Sequence, residues 1–135
     1  MNYASTQEHV PEAERNNRTI KERFRSQFQR LPYKNMPRVM IKALAMEATK
    51  KLNFFPPAGG ISQYYSPRMI LHQSSLDYNK HFQYEFGQYV QAHNDYTITK
   101  NTTAPRSLDC IYLRFTNNRQ GGHELLDLHS NRVIT

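Results

Sequence analysis

One stretch near the start of the chain combines residue types that could handle phosphate chemistry. Within residues 13–22, Glu14 is followed by Arg18 four positions on and by Lys21 three positions after that. In a helix this spacing places the three side chains on one face. A carboxylate can ligate a hard divalent cation, and cations beside it can neutralise phosphates. The stretch therefore predicts a phosphodiester-binding face with Glu14 as the candidate metal ligand.

The carboxylate side of this arrangement is incomplete. Two-metal phosphoryl transfer needs more than one acid, usually two aspartates on strands together with a helical glutamate. No strand pattern precedes Glu14, and the first aspartate of the chain is Asp77. Spacing alone favours an ordinary surface network of ion pairs worth a few tenths of a kcal/mol. An independent nuclease would need a second acid from this downstream set: Asp77, Glu85, Asp95, Asp109, Glu124 and Asp127.

The net charge of the chain points to a polyanionic partner. Its 135 residues carry 18 Lys and Arg against 11 Asp and Glu, a net charge of +7. Residues 1–53 hold eleven of the cations and five glutamates, so the excess belongs to the N-terminal half. A clustered basic surface is typical of proteins that bind nucleic acid without sequence preference. The candidate contacts are Arg15, Arg18, Lys21, Arg25 and Lys34.

The remaining composition excludes several classes of site. A single cysteine, Cys110, excludes an intramolecular disulfide and a zinc site with several thiolates, and its apolar neighbours predict a buried strand. The six histidines lack zinc-finger spacing and are expected on the surface or at strand ends. No apolar run approaches the roughly 18 residues of a membrane span, and the first ten residues lack a signal-peptide core. We therefore expect an intracellular protein, nuclear or cytoplasmic, with no membrane partner.

Hydrophobic periodicity predicts two long helices that would position these cations. Apolar residues recur at helical spacing over residues 11–31, with basic residues on the other faces, and again over residues 36–52. Prolines and glycines over 56–60 end the second helix. Ser66 and Pro67 are typical of the start of a third, short helix.

Further along, the period changes to that of strands. Candidate strands cover residues 85–91, 108–115, 124–128 and 132–135, separated by turn residues. The predicted fold is α+β: two long N-terminal helices and a short third, then a small antiparallel sheet or an SH3-like barrel. The corresponding segments are a helical part over 1–60, a linker with the short helix over 61–82 and a β module over 83–135.

Five tyrosines could stack on bases, although core packing of the β module is the favoured interpretation: Tyr64, Tyr65, Tyr78, Tyr84 and Tyr89.

Several motifs taken in order resemble those of one protein family. Ala-Glu-Arg-Asn-Asn-Arg-Thr-Ile over residues 13–20 resembles the Ala-Glu-Arg-x-Asn-Arg-Thr-[Ile/Leu] stretch of integrases from copia-type retrotransposons. The Pro-containing segments 52–56 and 65–71 and the Phe-Gly segment 86–90 are similar to successive parts of the same integrases. The segment 106–113 is similar to their Arg-x-x-x-Cys-Ile-[Phe/Tyr]-Leu strand. The resemblance extends over roughly residues 10–134.

The resemblance implies a role for the basic helix. Glu14 would be the third acid of the catalytic triad, which in the intact enzymes holds Mg²⁺ or Mn²⁺, while Arg18 and Lys21 would contact DNA. Since the two aspartates of that triad precede this glutamate in the family, we expect a fragment of the Pol polyprotein: the last helices of a ribonuclease-H-like core and the following β module. We expect no complete active site, no cofactor within the fragment and no enzymatic strand transfer.

Two functions follow as hypotheses. The first is nonspecific binding of DNA or other nucleic acid by the basic helix. The alternative is a protein-interaction or self-association module that uses the apolar face of the first helix, formed by Ile20, Phe24 and Phe28. Exposure of that face would favour association, whereas packing of the face on the second helix would leave nucleic-acid binding as the better hypothesis.

Overall fold

The computed structural model describes residues 10–94, 103, 105–118 and 120–135. The helices are α1 (Pro11–Arg30), α2 (Arg38–Leu52), α3 (Pro67–His72) and α4 (Tyr78–His81). The strands are β1 (Tyr89–His93), β2 (Ser107–Phe115), β3 (His123–Asp127) and β4 (Val133–Ile134). All neighbouring strands pair antiparallel in the order β1-β2-β3-β4. The α+β prediction is confirmed, and the sheet is the open form of the two alternatives, not a barrel.

The two long helices begin and end where local chemistry requires. Pro11 occupies the first turn of α1, where its missing N–H costs nothing, and Glu12 and Glu14 lie at the positive end of the helix dipole. Leu31 has an extended backbone that ends α1. Helix α2 follows Pro37 and ends at Leu52, with two lysines in its last turn. Within the described part of the chain, no helix is both long enough and apolar enough to span a bilayer.

The two short helices are set by side-chain caps. The Ser66 hydroxyl accepts a hydrogen bond from the backbone N–H of Met69 at 3.2 Å, which confirms the predicted start of α3. Asp77 Oδ1 accepts a hydrogen bond from the backbone N–H of Asn79 at 3.0 Å and opens α4. The sequence did not predict α4, because a single helical turn has no periodicity.

The first strand begins later than predicted. Residues 85–91 were expected to form it, but β1 covers Tyr89–His93. Gly87 explains the difference, since its φ of 83° lies in the left-handed region and interrupts an extended chain. A Cβ at this position would lie 2.6 Å from both the Leu31 Cδ2 and the Tyr33 hydroxyl oxygen, so the close approach of the 31–33 segment also requires glycine.

One apolar cluster joins the second helix to the sheet. Met40 and Ala43 of α2 pack with Leu113 of β2 and Leu126 of β3, and all four are buried. Half-buried side chains from the α1–α2 connection and the sheet pack against them: Tyr33, Met36, Phe86 and Ile111. Cys110 is fully buried in β2, as predicted, and burial raises the pKa of its thiol. The helical segment and the sheet therefore share a core.

Candidate nucleic-acid interface

Four of the five candidate cations lie on α1, which the rest of the protein leaves accessible. No residue of α1 is buried. Glu14, Arg18, Lys21 and Arg25 line one shallow groove along the helix, together with Asn17 and Glu22. The predicted alignment of Glu14, Arg18 and Lys21 on one face is therefore what the helix has. Arg15 is also exposed, on the adjoining surface of the same turn. The arrangement presents a row of positive charge to solvent.

An internal ion pair interrupts this row without neutralising it. Arg18 Nε lies 3.0 Å from Glu22 Oε1, one helical turn away, and both side chains are more than half exposed. An exposed pair of this kind contributes at most about 1 kcal/mol and is screened by salt. Arg18 can therefore exchange its carboxylate partner for a phosphate at small cost.

Lys34 has a structural role that its sequence position did not reveal. Its ammonium group donates to the carbonyl oxygens of Phe28, Gln29 and Leu31 at 3.3, 3.1 and 3.3 Å. It also lies 5.3 Å from the centre of the Phe28 ring. These carbonyls are at the negative end of the α1 dipole, which a cation stabilises. Lys34 thus caps α1 and has less capacity for a phosphate than the other four candidates, Arg15, Arg18, Lys21 and Arg25.

The carboxylates near Glu14 do not fit a two-metal centre. Glu22 shares its groove, but eight residues of helix separate the two positions by about 12 Å along the axis, too far for one ion. Among the residues that the structure describes, no group of three or more His, Cys, Asp or Glu could hold a metal ion.

The downstream acids are engaged elsewhere. Asp77 caps α4, and Glu85 lies 3.7 Å from Arg30. Asp109 accepts a hydrogen bond of 2.5 Å from the Tyr89 hydroxyl. Glu124 pairs with Arg114, and Asp127 accepts hydrogen bonds within the β3–β4 turn, where Ser130 above all lowers its pKa. Asp95 falls outside the described residues.

The apolar face of α1 is intermediate between the two predicted states. Ile20, Phe24 and Phe28 are each half-buried, and α1 packs against α2. The Phe24 and Phe28 rings are 6.3 Å apart and nearly parallel, with an angle of 13°. The face is neither fully exposed nor a closed internal contact, so the test posed by the sequence gives no clean decision between the two hypotheses.

A cluster of charged side chains lies at the junction of α2 and the sheet, and the sequence did not predict it. Arg114 donates two hydrogen bonds to the Glu124 carboxylate, at 2.5 and 2.8 Å, across the β2–β3 pair. Lys50 Nζ donates to the Phe115 carbonyl oxygen at 3.0 Å. Glu47 is buried beside them, with Lys51 Nζ 3.7 Å from its carboxylate. Burial raises the pKa of Glu47, although the nearby cations lower it in part.

We expect Glu47→Gln to stabilise the protein at neutral pH. Since the folded-state pKa of Glu47 is raised above the ordinary value of 4.5, this group favours folding fully only below that value, and the contribution is lost as the pH rises through the folded pKa. The neutral amide should therefore increase the free energy of unfolding by about 1 kcal/mol at pH 7, the usual size of a single-site effect. Urea unfolding at pH 7 and pH 4 measures it.

At pH 4 the gain from Glu47→Gln should largely disappear, because the native glutamic acid is then neutral too. Glu85→Gln is the control. The Glu85 carboxylate is exposed, and this substitution removes a single contact, the one of 3.7 Å with Arg30. A Glu47→Gln variant that is less stable than the parent at pH 7 would show that the ion pair with Lys51 outweighs burial.

The histidines contradict the surface prediction at one position. His81 is buried and lies between Phe54 and Phe115, with ring centres 5.6 and 4.8 Å away. Its Nδ1 is 2.7 Å from the Asp77 carbonyl oxygen, so Nδ1 carries the proton and donates. His123 of β3 is half-buried beside Phe115, and burial lowers its pKa. Both rings serve as aromatic packing surface.

The tyrosines also depart from expectation. Core packing was the favoured interpretation, yet four of the five are exposed: Tyr64, Tyr65, Tyr78 and Tyr89. Only Tyr84 packs inward, with its ring 5.4 Å from that of Tyr112. Apolar side chains of the 57–71 segment are exposed as well and line a second, apolar cavity.

No family model, curated protein or solved structure matches this chain.

Proposed function

We propose that this protein binds nucleic acid nonspecifically through the exposed face of α1. The observation that carries the proposal is the row of cations on a helix with no buried residue: Arg15, Arg18, Lys21 and Arg25. Such a row contacts phosphates and releases counterions, which supplies affinity without sequence information. Lys34 contributes less, because its ammonium group caps the helix.

We also propose that the chain derives from a copia-type retrotransposon integrase region. This proposal rests on the order of motifs over residues 10–134. In it, Glu14 corresponds to the third acid of the triad, and no aspartate precedes Glu14 in this sequence. We expect no strand transfer from the described residues, because no group of three or more His, Cys, Asp or Glu among them could hold a metal ion.

Self-association is the weaker of the two proposed functions. It would use the face of Ile20, Phe24 and Phe28, all three of which are half-buried in the single chain. The four cations are exposed without any rearrangement, which is why nucleic-acid binding has the better support.

A salt titration of duplex binding tests the principal proposal. With four phosphate contacts, we expect the logarithm of the association constant to fall against the logarithm of salt concentration with a slope of about −3.6. Filter binding of a labelled duplex gives this slope, and a competing duplex of unrelated sequence should displace the label equally well. Failure to bind any duplex at low salt would refute the proposal.

A further inference from the structure

Three aromatic rings form an exposed ladder around the α4 turn. The Tyr78 and Phe82 rings lie 5.6 Å apart with an angle of 26°, and Phe55 lies 6.3 Å from Phe82 at 32°. Tyr78 is 64% exposed, Phe82 37% and Phe55 49%, so a large aromatic area is in contact with water. We refer to these three rings as the aromatic ladder. Contiguous exposed apolar surface of this kind usually marks a binding site.

The inner end of the ladder leads to a positive charge. Phe54 is buried and packs edge-on against Phe82, with ring centres 5.8 Å apart. The guanidinium carbon of Arg68 lies over the Phe54 ring, 5.4 Å from its centre. Within the described residues, Arg68 has no carboxylate partner. Its Nη1 reaches Asn117 Oδ1 at 3.4 Å, and its buried Nε lacks a hydrogen-bond partner.

A second cation stands close to Arg68. Lys50 donates to the Phe115 carbonyl oxygen, two residues before Asn117, so the two side chains converge on one short segment at the end of β2. Burial above all lowers the pKa of Lys50, and the positive charges of Arg114 and Arg68 lower it further, whereas the carboxylates of Glu47 and Glu124 oppose the shift. An anion would therefore be held chiefly by Arg68, with Lys50 beside it. We call Lys50 and Arg68 the cation pair.

We propose that the aromatic ladder and the cation pair together bind single-stranded nucleic acid. Unpaired bases would stack on Tyr78 and the rings behind it, and Arg68 and Lys50 would hold a phosphate of the same strand. Single-strand binders combine aromatic platforms with cations in this way. The base faces of a duplex are already stacked on one another, so the ladder selects unpaired strands.

Charge complementarity decides between this occupant and an apolar peptide. The chain carries a net charge of +7. Arg68 lies over the ring of Phe54, which packs against Phe82 of the ladder. Asp77, next to Tyr78 in the sequence, caps α4 and lies 4.0 Å from Lys80 Nζ, so its charge is partly compensated. A polyanion with flat apolar faces fits both features, whereas an apolar peptide would leave Arg68 without an anionic partner. This surface is separate from the α1 groove, and the proposal does not depend on duplex binding there.

The ring chemistry is tested with an oligothymidylate, which has no stable duplex form. We expect Tyr78→Ala in the full chain to weaken its binding by about five- to a hundredfold while duplex binding is unchanged. Tyr64→Ala is the matched control, since Tyr64 is exposed and lies outside the ladder. The chain has no Trp, so Tyr78→Trp should retain binding and add a fluorescence signal that the oligothymidylate quenches.

The phosphate contact is tested through the salt dependence of oligothymidylate binding. Arg68→Gln should reduce the salt slope of oligothymidylate binding by about 0.7, the value for one phosphate of a single strand, whereas Tyr78→Ala should leave the slope unchanged. Circular dichroism confirms that each variant is folded. Unaltered oligothymidylate binding by a folded Tyr78→Ala variant, or an equal loss on duplex DNA, would overturn the proposal. Loss of duplex binding in α1 variants alone would bear only on the α1 groove.

Discussion

Replacing four α1 cations by glutamine is expected to lower duplex affinity at low salt by about a hundredfold or more. The variant combines Arg15→Gln, Arg18→Gln, Lys21→Gln and Arg25→Gln. All four side chains are exposed, three of them in the groove and Arg15 on the adjoining surface, so each phosphate contact that they make is lost with its released counterion. The salt slope should become shallower by about 3.6, since each contact contributes about 0.9. Filter binding at several salt concentrations measures both quantities.

A second fourfold variant separates the α1 surface from the overall charge. Four exposed cations elsewhere can be replaced: Arg38→Gln, Lys42→Gln, Arg106→Gln and Arg132→Gln. Both variants lower the net charge from +7 to +3 (7 minus 4). If α1 is the interface, the second variant should keep most of the parent's affinity and slope. Equal losses in the two variants would mean that net charge, and not the α1 groove, governs binding.

The helices could be predicted from the sequence because their signals are local. The period of the apolar residues places both long helices within about two residues of their observed ends. The same holds for α3, whose serine cap and first-turn proline are adjacent in sequence. Helix α4 and the start of β1 depend on one capping aspartate and on the backbone conformation of Gly87, which periodicity does not report.

In the candidate site too, the features that follow from local sequence could be predicted, and those that depend on the tertiary fold could not. The shared face of Glu14, Arg18 and Lys21 follows from helical geometry alone, and the helix has it. The capping role of Lys34 depends on how the chain turns after α1, so sequence spacing could not reveal it. The Arg114–Glu124 pair depends on strand register, which shifts between Tyr112 and Arg114. The aromatic ladder comes from residues 55–82, where no periodicity indicates which side chains face solvent.

The second large effect is expected in the core. Leu113→Ala should lower the free energy of unfolding by about 3 kcal/mol, within the usual range for a buried leucine. Leu113 is 1% exposed and contacts both α2 and β3 through the cluster with Met40, Ala43 and Leu126. A loss of this size is a large share of the roughly 5–15 kcal/mol that stabilises most domains. Urea unfolding followed by circular dichroism measures it.

The same experiment tests whether the helices and the sheet unfold together. Far-ultraviolet dichroism follows mainly α1 and α2, whereas near-ultraviolet dichroism reports packed aromatic rings such as those of Tyr84 and Tyr112 beside the sheet. Because Leu113 belongs to the core that the two parts share, its truncation should shift both transitions by the same amount. Leu128→Ala, at a position 46% exposed, should shift neither by more than about 0.5 kcal/mol. Separate transitions, with only the near-ultraviolet signal moved by Leu113→Ala, would mean that α1 keeps its fold independently and could present its cations even when the sheet is unfolded.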